Sequence, residues 1–278
     1  MKNVVVLFRG ALREEQELKA CRGVFPNTVE YRSLIPENSL VIPRYASLPF
    51  YKELEFDVKQ KNSVLVNTYA QYKYVSDLRN YYEDLEGLTP ETYFDVSDIP
   101  DSAFPVVLKG ETNSRKFQWD SHMFAETRED AIRISIDLRN DSLLQYQNIY
   151  ARKYVPLNIV GERISKTHPP IAEEYRIFIY NKKVIAGGFY WSTYYDDLNR
   201  NIYRSLTEIL SNRDAFALIL DAIHLIDNKI NFYAIDIART KEGDWIIVEL
   251  NDGQMAGIST IDPTLFYVNL KDAVYDIF

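Results

Sequence analysis

The sequence predicts a mixed α/β fold, with parallel α/β material at the N-terminus giving way to antiparallel α+β structure. Val4 to Phe8 is a continuous apolar, mostly β-branched run closed by Arg9-Gly10, and helix formers follow from Glu14 to Ala20. That is the pattern of a buried strand feeding a helix. Later, two pairs of strand-like runs flank short polar turns: Glu174 to Ile179 with Lys183 to Phe189 around Asn181-Lys182, and Phe232 to Ala238 with Trp245 to Leu250 around Lys241-Glu-Gly-Asp244. Between these hairpins Asp214 to Asn228 has helical spacing, with Phe216, Leu218, Ile219, Leu220, Ile223 and Ile226 as its apolar side.

The remaining elements follow in order. Short strands are expected at Leu40 to Ile42 and Val64 to Val66, separated by a loop at Pro43 to Pro49. Tyr69 to Leu85 reads as one helix, stopped by Gly87 and Thr89-Pro90. Asp95 to Pro105 is a polar, proline-bearing connector and a candidate domain boundary. Pro105 to Lys109 is a short strand ending in a lysine, and Gly110 to Lys116 is a small polar, basic loop. An ammonium at a strand end, beside free backbone donors with Ser114, Arg115 and Lys116, suits a phosphate; a surface loop with snorkelling cations is the alternative. Arg128 to Leu138 reads as a helix, Ile149 to Leu157 as a strand, and Pro263 to Phe278 as an unremarkable closing segment. Glu174 and Arg176 share a strand face, which leaves Arg176 either paired with Glu174 or facing a phosphate.

With 278 residues, 46% of them hydrophobic and 26% charged, the chain has the composition of a soluble globular protein. A net charge of −8 argues against a general nucleic-acid surface, whose affinity comes from neutralising phosphates. The single cysteine, Cys21, excludes an intramolecular disulfide framework, and three scattered histidines make a zinc site unexpected. The N-terminal apolar run is five residues, far short of a signal segment or membrane span, so the expected location is cytoplasmic, with no membrane partner.

The acidic hairpin carries the chemistry. If Lys241 to Asp244 closes a four-residue loop, Thr240 faces Trp245, Ala238 faces Ile247 and Asp236 faces Glu249, with Asn251 on the same face by the period of two. Two carboxylates opposite each other repel, so a positive group is expected between them. Magnesium fits, because it takes few protein carboxylates and completes its shell with water and phosphates. A solvated face whose carboxylates pair with lysines is the other reading.

Taken together, Pro105-Val-Val-Leu-Lys109-Gly, Ala234-Ile-Asp236 and Val248-Glu249-Leu-Asn251 resemble the ATP-grasp superfamily. Lys109-Gly-Glu-Thr-Asn-Ser-Arg-Lys116, Trp119-Asp-Ser-His-Met-Phe124 and Glu249-Leu-Asn-Asp-Gly253 are closer still to its R2K clade. The resemblance implies an ATP-grasp fold: a pre-ATP-grasp α/β domain over residues 1–91, then an ATP-grasp domain over 92–278 whose subdomains, about 92–157 and 158–278, sandwich the nucleotide. It implies ATP bound by Lys109, Ser114, Arg115 and Lys116, with the adenine edge on Lys153, Tyr154 and Val155. Arg176 would face the γ-phosphate or the acyl-phosphate, making it and Lys109 the catalytic pair, and Asp236, Glu249 and Asn251 would hold magnesium, or manganese in its place. The implied activity is a carboxylate–amine ligase working through an acyl-phosphate on small-molecule or peptide substrates. A phosphotransferase and a non-catalytic nucleotide-binding scaffold are the alternatives. The family's first nucleotide-binding lysine has no direct match; Asp77-Leu78 stands at its place, with Lys73 and Arg79 as substitutes. Arg152-Lys153 replaces acidic residues common at the linker, so the ribose contact is unassigned. Trp119 and the Tyr190 to Tyr195 segment are candidates for an acceptor pocket as well as for core packing.

Overall fold

A computed structural model of the chain describes residues 3–10, 15–163, 165, 167–191 and 202–276. The N-terminal part holds a parallel sheet of four strands, in the order Thr28–Val29, Asn3–Leu7, Ser39–Pro43, Val64–Leu65. Its central strands are buried on both faces, as the continuous Val and Leu runs require. The second sheet is antiparallel, in the order Thr92–Tyr93, Ile149–Lys153, Val106–Gly110, Phe124–Ala125, and is backed by the helix Arg128–Arg139. The third, also antiparallel, runs Lys183–Phe189, Glu174–Tyr180, Phe232–Arg239, Trp245–Asp252.

Two cores fix the third sheet. On one face Tyr175, Ile177, Ile235, Ile237, Ile247 and Leu250 pack against the helix Arg213–Leu225 and against Val75, Leu78 and Tyr81. On the other, Phe178, Tyr180 and Phe232 pack under the helix Pro263–Tyr275 and the first sheet's Val4, Val6 and Phe8. In the Arg213–Leu225 helix Leu218, Ile219 and Ile223 are buried, whereas Phe216 and Leu220, expected on its apolar side, are exposed.

Several elements differ from the sequence reading. The long helix expected over Tyr69 to Leu85 is broken: Tyr69–Ser76 and Leu78–Tyr82 are separate helices. Asp77 between them is extended (φ −124°, ψ 117°), its carboxylate accepting from the Arg79 N–H and the Tyr150 hydroxyl. A local N-cap plus a tertiary hydrogen bond outweigh continued helix there. The closing segment is not featureless but a 13-residue helix, N-capped by Asp262 with Pro263 in its first turn. The strand from Ile149 stops at Lys153.

The acidic hairpin keeps the expected pairing of Asp236 with Glu249, but not by the expected turn. Arg239 faces Trp245 and Ala238 faces Ile246, one residue out of the anticipated register. A bulge between Asp236 and Ile237 restores the pairing. Ile247 lies in the apolar core and Leu250 does too, so Val248 and Glu249 both turn to the other face.

Candidate functional site

The cleft lies between the second and third sheets. Its cavity of about 560 Å³ is lined from the second sheet by Val107, Lys109, Arg152 and Lys153, and from the third by Glu174, Ile246, Val248 and Glu249. The size suits a small-molecule or cofactor site. One stretch is largely apolar: Phe124, Tyr154, Val155, Pro156, Leu157, Ile159 and Pro170 line it, bordered by Lys241 and the Arg163–Asp120 ion pair, and Trp119, Phe124 and Tyr154 form an aromatic cluster with centroids 5.0–6.4 Å apart. The other end is charged, with Lys109, Lys116, Glu174 and Glu249. A neighbouring cavity of about 100 Å³ continues from Lys109 and Glu249 to Asn251.

Two ion pairs hold most of the charge at this end. Lys109 Nζ donates to Glu249 Oε2 at 2.8 Å, closing the gap between the two sheets. Burial alone would raise the Glu249 pKa, but Lys109 and Lys116 outweigh it and hold the carboxylate well below its ordinary value. Arg176 donates to both oxygens of Asp236, at 2.7 Å each, and to the Gly257 carbonyl at 3.1 Å; the Tyr190 ring lies 4.9 Å from its guanidinium carbon. Burial pushes the Asp236 carboxyl up despite the opposing pull of Arg176. Asn251 donates to Asp236 Oδ2 at 2.9 Å. The expected alternative of Arg176 paired with Glu174 is therefore corrected: the antiparallel register sets Arg176 opposite Asp236, within bidentate reach.

That leaves Glu174 unpaired by hydrogen bonds on one side. Its Oε1 is buried without a partner, and burial drives its pKa up to about 7 against the pull of Lys116. Lys116 donates to the Tyr190 hydroxyl at 2.9 Å; burial would lower its pKa, but Glu174, Tyr190 and Glu249 together raise it. Sequence reasoning treated Glu174 only as a partner for Arg176. Its period-two place beside Asp236's neighbour Arg176 was the available signal.

Ser114, Lys116, Lys153, Tyr154 and Val155 all line the cleft, as does Lys109. Arg115 does not: its guanidinium is held by both carboxylate oxygens of Asp141. The backbone donors of the first part of the loop are not free as anticipated, since Thr112 and Asn113 donate to Gln147 Oε1 and Glu111 to the Asn148 carbonyl. Gly110 is required for this, because a Cβ there would lie 2.5 Å from that same oxygen. Neither Lys73 nor Arg79 lines the cleft; Lys73 is exposed, and Arg79 lies over the rings of Phe94 and Tyr150. Arg152 is buried beneath the cleft, donating to the Val248 carbonyl at the bulge and to the Thr89 hydroxyl, with its Nε unpartnered. Of the aromatic segment, Trp191 lines the cleft, while residues 192–195 lie outside the described residues.

The oxygen-bearing trio fits a hard cation in kind. Glu249 and Asn251 face the smaller cavity beside Lys109, whereas both oxygens of Asp236 are engaged by Arg176. Among the described residues no group of three or more His, Cys, Asp or Glu side chains is arranged to hold a metal. Magnesium does not need such a cage: one or two carboxylates suffice where phosphates and water complete the octahedron.

A family model described as the ATP-grasp domain, R2K clade family 3, matches residues 98–270. The chain belongs to this R2K family of ATP-grasp proteins. Solved ATP-grasp structures share the fold over nearly the whole length. A RimK domain ATP-grasp protein from Sphaerobacter thermophilus is 15% identical, with a TM-score of 0.58 over 96% of this chain and 99% of that one. D-alanyl-alanine synthetase A from Vibrio cholerae is 12% identical, with a TM-score of 0.56 over 98% and 97%. The ATP-grasp ligase PsnB, complexed with a minimal precursor, magnesium and ADP, is 10% identical, with a TM-score of 0.56 over 98% of each chain. No curated protein matches in sequence. No helix among the described residues of this ATP-grasp chain is long and apolar enough to cross a membrane.

Proposed function

We propose that this ATP-grasp protein is an ATP- and magnesium-dependent carboxylate–amine ligase. The observation that carries the reading is the polarity of the cleft: an apolar stretch with the aromatic cluster Trp119, Phe124 and Tyr154, and a charged group where Lys109, Lys116 and Glu249 converge. The base would rest against Tyr154 and Val155, with Lys153 at its edge, and the phosphates would reach Lys109, Ser114 and Lys116. Arg115, committed to Asp141, has no part in it. Arg176 serves by fixing Asp236, and through it Asn251. Glu249 and Asn251 would hold magnesium, with Asp236 joining if Arg176 releases an oxygen. When bound, the ion neutralises charge on the transferring phosphoryl group. The domain division after residue 91 and the subdomain division near residue 157 belong to the same proposal.

In this reading an acceptor carboxylate oxygen bonds to the γ-phosphorus as the bridge to ADP breaks. An amine nitrogen then bonds to the acyl carbon, phosphate leaves, and the ammonium proton is lost. The lysines supply charge stabilisation in a site screened from water, and positioning supplies much of the rest.

The test is release of ADP and phosphate from ATP over a panel of carboxylates and amines. A ligase gives phosphate release that depends on both substrates. ADP with a stable phosphorylated product, independent of any amine, would make it a phosphotransferase instead; nucleotide binding with no ADP formed would make it a scaffold. Glu249→Gln removes the charge between Lys109 and Lys116, and turnover is expected to fall at least about 10²-fold. Turnover in that variant equal to wild type would sink the assignment.

A further inference from the structure

Trp245–Asp252 is an edge strand of the third sheet, and an edge leaves backbone groups without a partner strand. Here they are taken up from outside the sheet. The Ile247 N–H donates to the Leu88 carbonyl at 2.8 Å, and the Ile247 carbonyl accepts from the Thr89 hydroxyl at 2.9 Å. The Val248 carbonyl accepts from Arg152, and the Leu250 N–H donates to the Tyr81 hydroxyl at 3.4 Å. Most of this grip falls on Ile247 and Val248, at the bulge.

The bulge decides where Glu249 points. Asp236 pairs with Glu249 and the next residue, Ile237, with Ile247, so Val248 has no partner across the hairpin. If the pairing of Ile237 with Ile247 ran on without an extra residue, Val248 would stand opposite Asp236. Glu249 would then stand opposite Ile235, in the apolar core.

Arg152 holds that extra residue. It stands opposite Val107 in the second sheet, is 7% exposed, and reaches the third sheet at the Val248 carbonyl while also donating to the Thr89 hydroxyl. Among the described residues it has no ion pair; burial draws its pKa down against the opposing pull of Tyr81 and Glu249. A buried guanidinium answered only by neutral oxygens is a costly way to join two sheets, which apolar packing would join more stably. What it adds is direction, because its planar fork fixes two oxygens at once. Thr89 completes the clamp, its one hydroxyl accepting from Arg152 and donating to Ile247.

We infer that Arg152 and Thr89 are positioning residues for Glu249: by clamping the bulge they turn its carboxylate toward Lys109 and, when nucleotide is bound, toward magnesium. The placement rests on these hydrogen bonds alone; its use for magnesium rests on the ligase reading.

Two measurements on the full chain test it. Thr89→Val is the main variant, since it removes the hydroxyl but leaves Arg152 and its charge, and Thr89→Ser restores the hydroxyl. The first measurement needs no nucleotide: a double-mutant cycle of Lys109→Met with Glu249→Gln, read by denaturant unfolding, gives the coupling of that pair in each background. Thr89→Val should lower the coupling by about half or more, and Thr89→Ser should return it. The second is calorimetric titration with ADP, with and without magnesium. Thr89→Val should bind magnesium-free ADP within about threefold of wild type, yet lose at least about tenfold of the strengthening that magnesium gives. Arg152→Lys, which keeps the charge but lacks the fork, should lower the coupling likewise and serves if Thr89→Val does not fold. Coupling equal to wild type in these variants overturns the inference. So does an unchanged magnesium effect, or an equal loss of ADP binding with and without the metal. A wild type that binds no ADP, with the coupling lowered as expected, upholds the placement of Glu249 and counts against the nucleotide reading.

Discussion

The two faces of the third sheet are both largely buried yet made of opposite materials. Toward the helix Arg213–Leu225 lie Tyr175, Ile177, Ile235, Ile237 and Ile247, all fully buried. Toward the cleft, on the same strands, lie Glu174, Arg176, Asp236 and Glu249. The apolar face is held by burial, which is non-directional and tolerates exchange among side chains of similar volume. The charged face is held by pairing, where removing one partner strands the other in a dry site. Further along Glu174–Tyr180 the cleft-side face itself becomes apolar, with Phe178 and Tyr180 under Pro263–Tyr275. The buried charge of Glu174, Arg176 and Asp236 therefore gathers at the cleft end of the face, away from the helix.

The sharpest way to break the comparison is to remove one member of a pair. Asp236 is fully buried, so Arg176→Ala should cost about 3–5 kcal/mol of unfolding free energy, read by denaturant titration. The double variant Arg176→Met with Asp236→Leu should recover most of that loss while leaving the nucleotide site defective. If the single and double variants are equally unstable, the charge is not what Arg176 answers. On the opposite face Ile235→Ala should cost about 2–4 kcal/mol by cavity formation. Its ADP affinity, measured below the unfolding range, should match wild type, because the residue points away from the cleft. An affinity loss of tenfold there would show that the two faces are not energetically separable.

How far the sequence foretold this arrangement depends on which forces were local. The apolar alternation of the hairpins and the lysine near the end of its strand were readable from the period of two and from turn residues; Asp236 does face Glu249 as expected, but through a register shift that neither signal contains. The bulge that puts Val248 and Glu249 on one face was not readable: nothing in Trp245 to Leu250 marks it, and it is stabilised from outside, by Arg152 on the Val248 carbonyl. The same holds for Arg115, whose partner Asp141 is 26 residues away, and for Arg176, whose partner is 60 away. Opposed carboxylates did imply a cation between them. The cations placed there by the fold are Lys109 and Arg176, so the pattern told the sign of the missing charge and not its source. The closing helix, by contrast, carries its own signals in Asp262-Pro263 and in the spacing of Phe266, Tyr267, Leu270 and Val274.

The smallest expected effect tests whether the charged face is balanced or strained. Glu174 is buried with one oxygen unpartnered, and its folded pKa is raised to about 7 from the ordinary carboxylate value of 4.5. Below pH 4.5 the carboxyl is protonated whether folded or unfolded, and its ionisation contributes nothing. Between there and about pH 7 the unfolded chain releases the proton while the folded chain keeps it, so stability falls as pH rises, and it levels off above the folded pKa. The total decline should be on the order of 1–3 kcal/mol, since a tenfold difference in acidity between the folded and unfolded carboxyl corresponds to about 1.4 kcal/mol and the neighbouring carboxylates Asp236 and Glu249 bear on the titration. Glu174→Gln cannot ionise and should lack this decline in nucleotide-free protein. Denaturant midpoints for both proteins across that window decide the matter. Parallel profiles would mean that Glu174 is ionised throughout, satisfied by Lys116, and that the charged face is as settled as the apolar one.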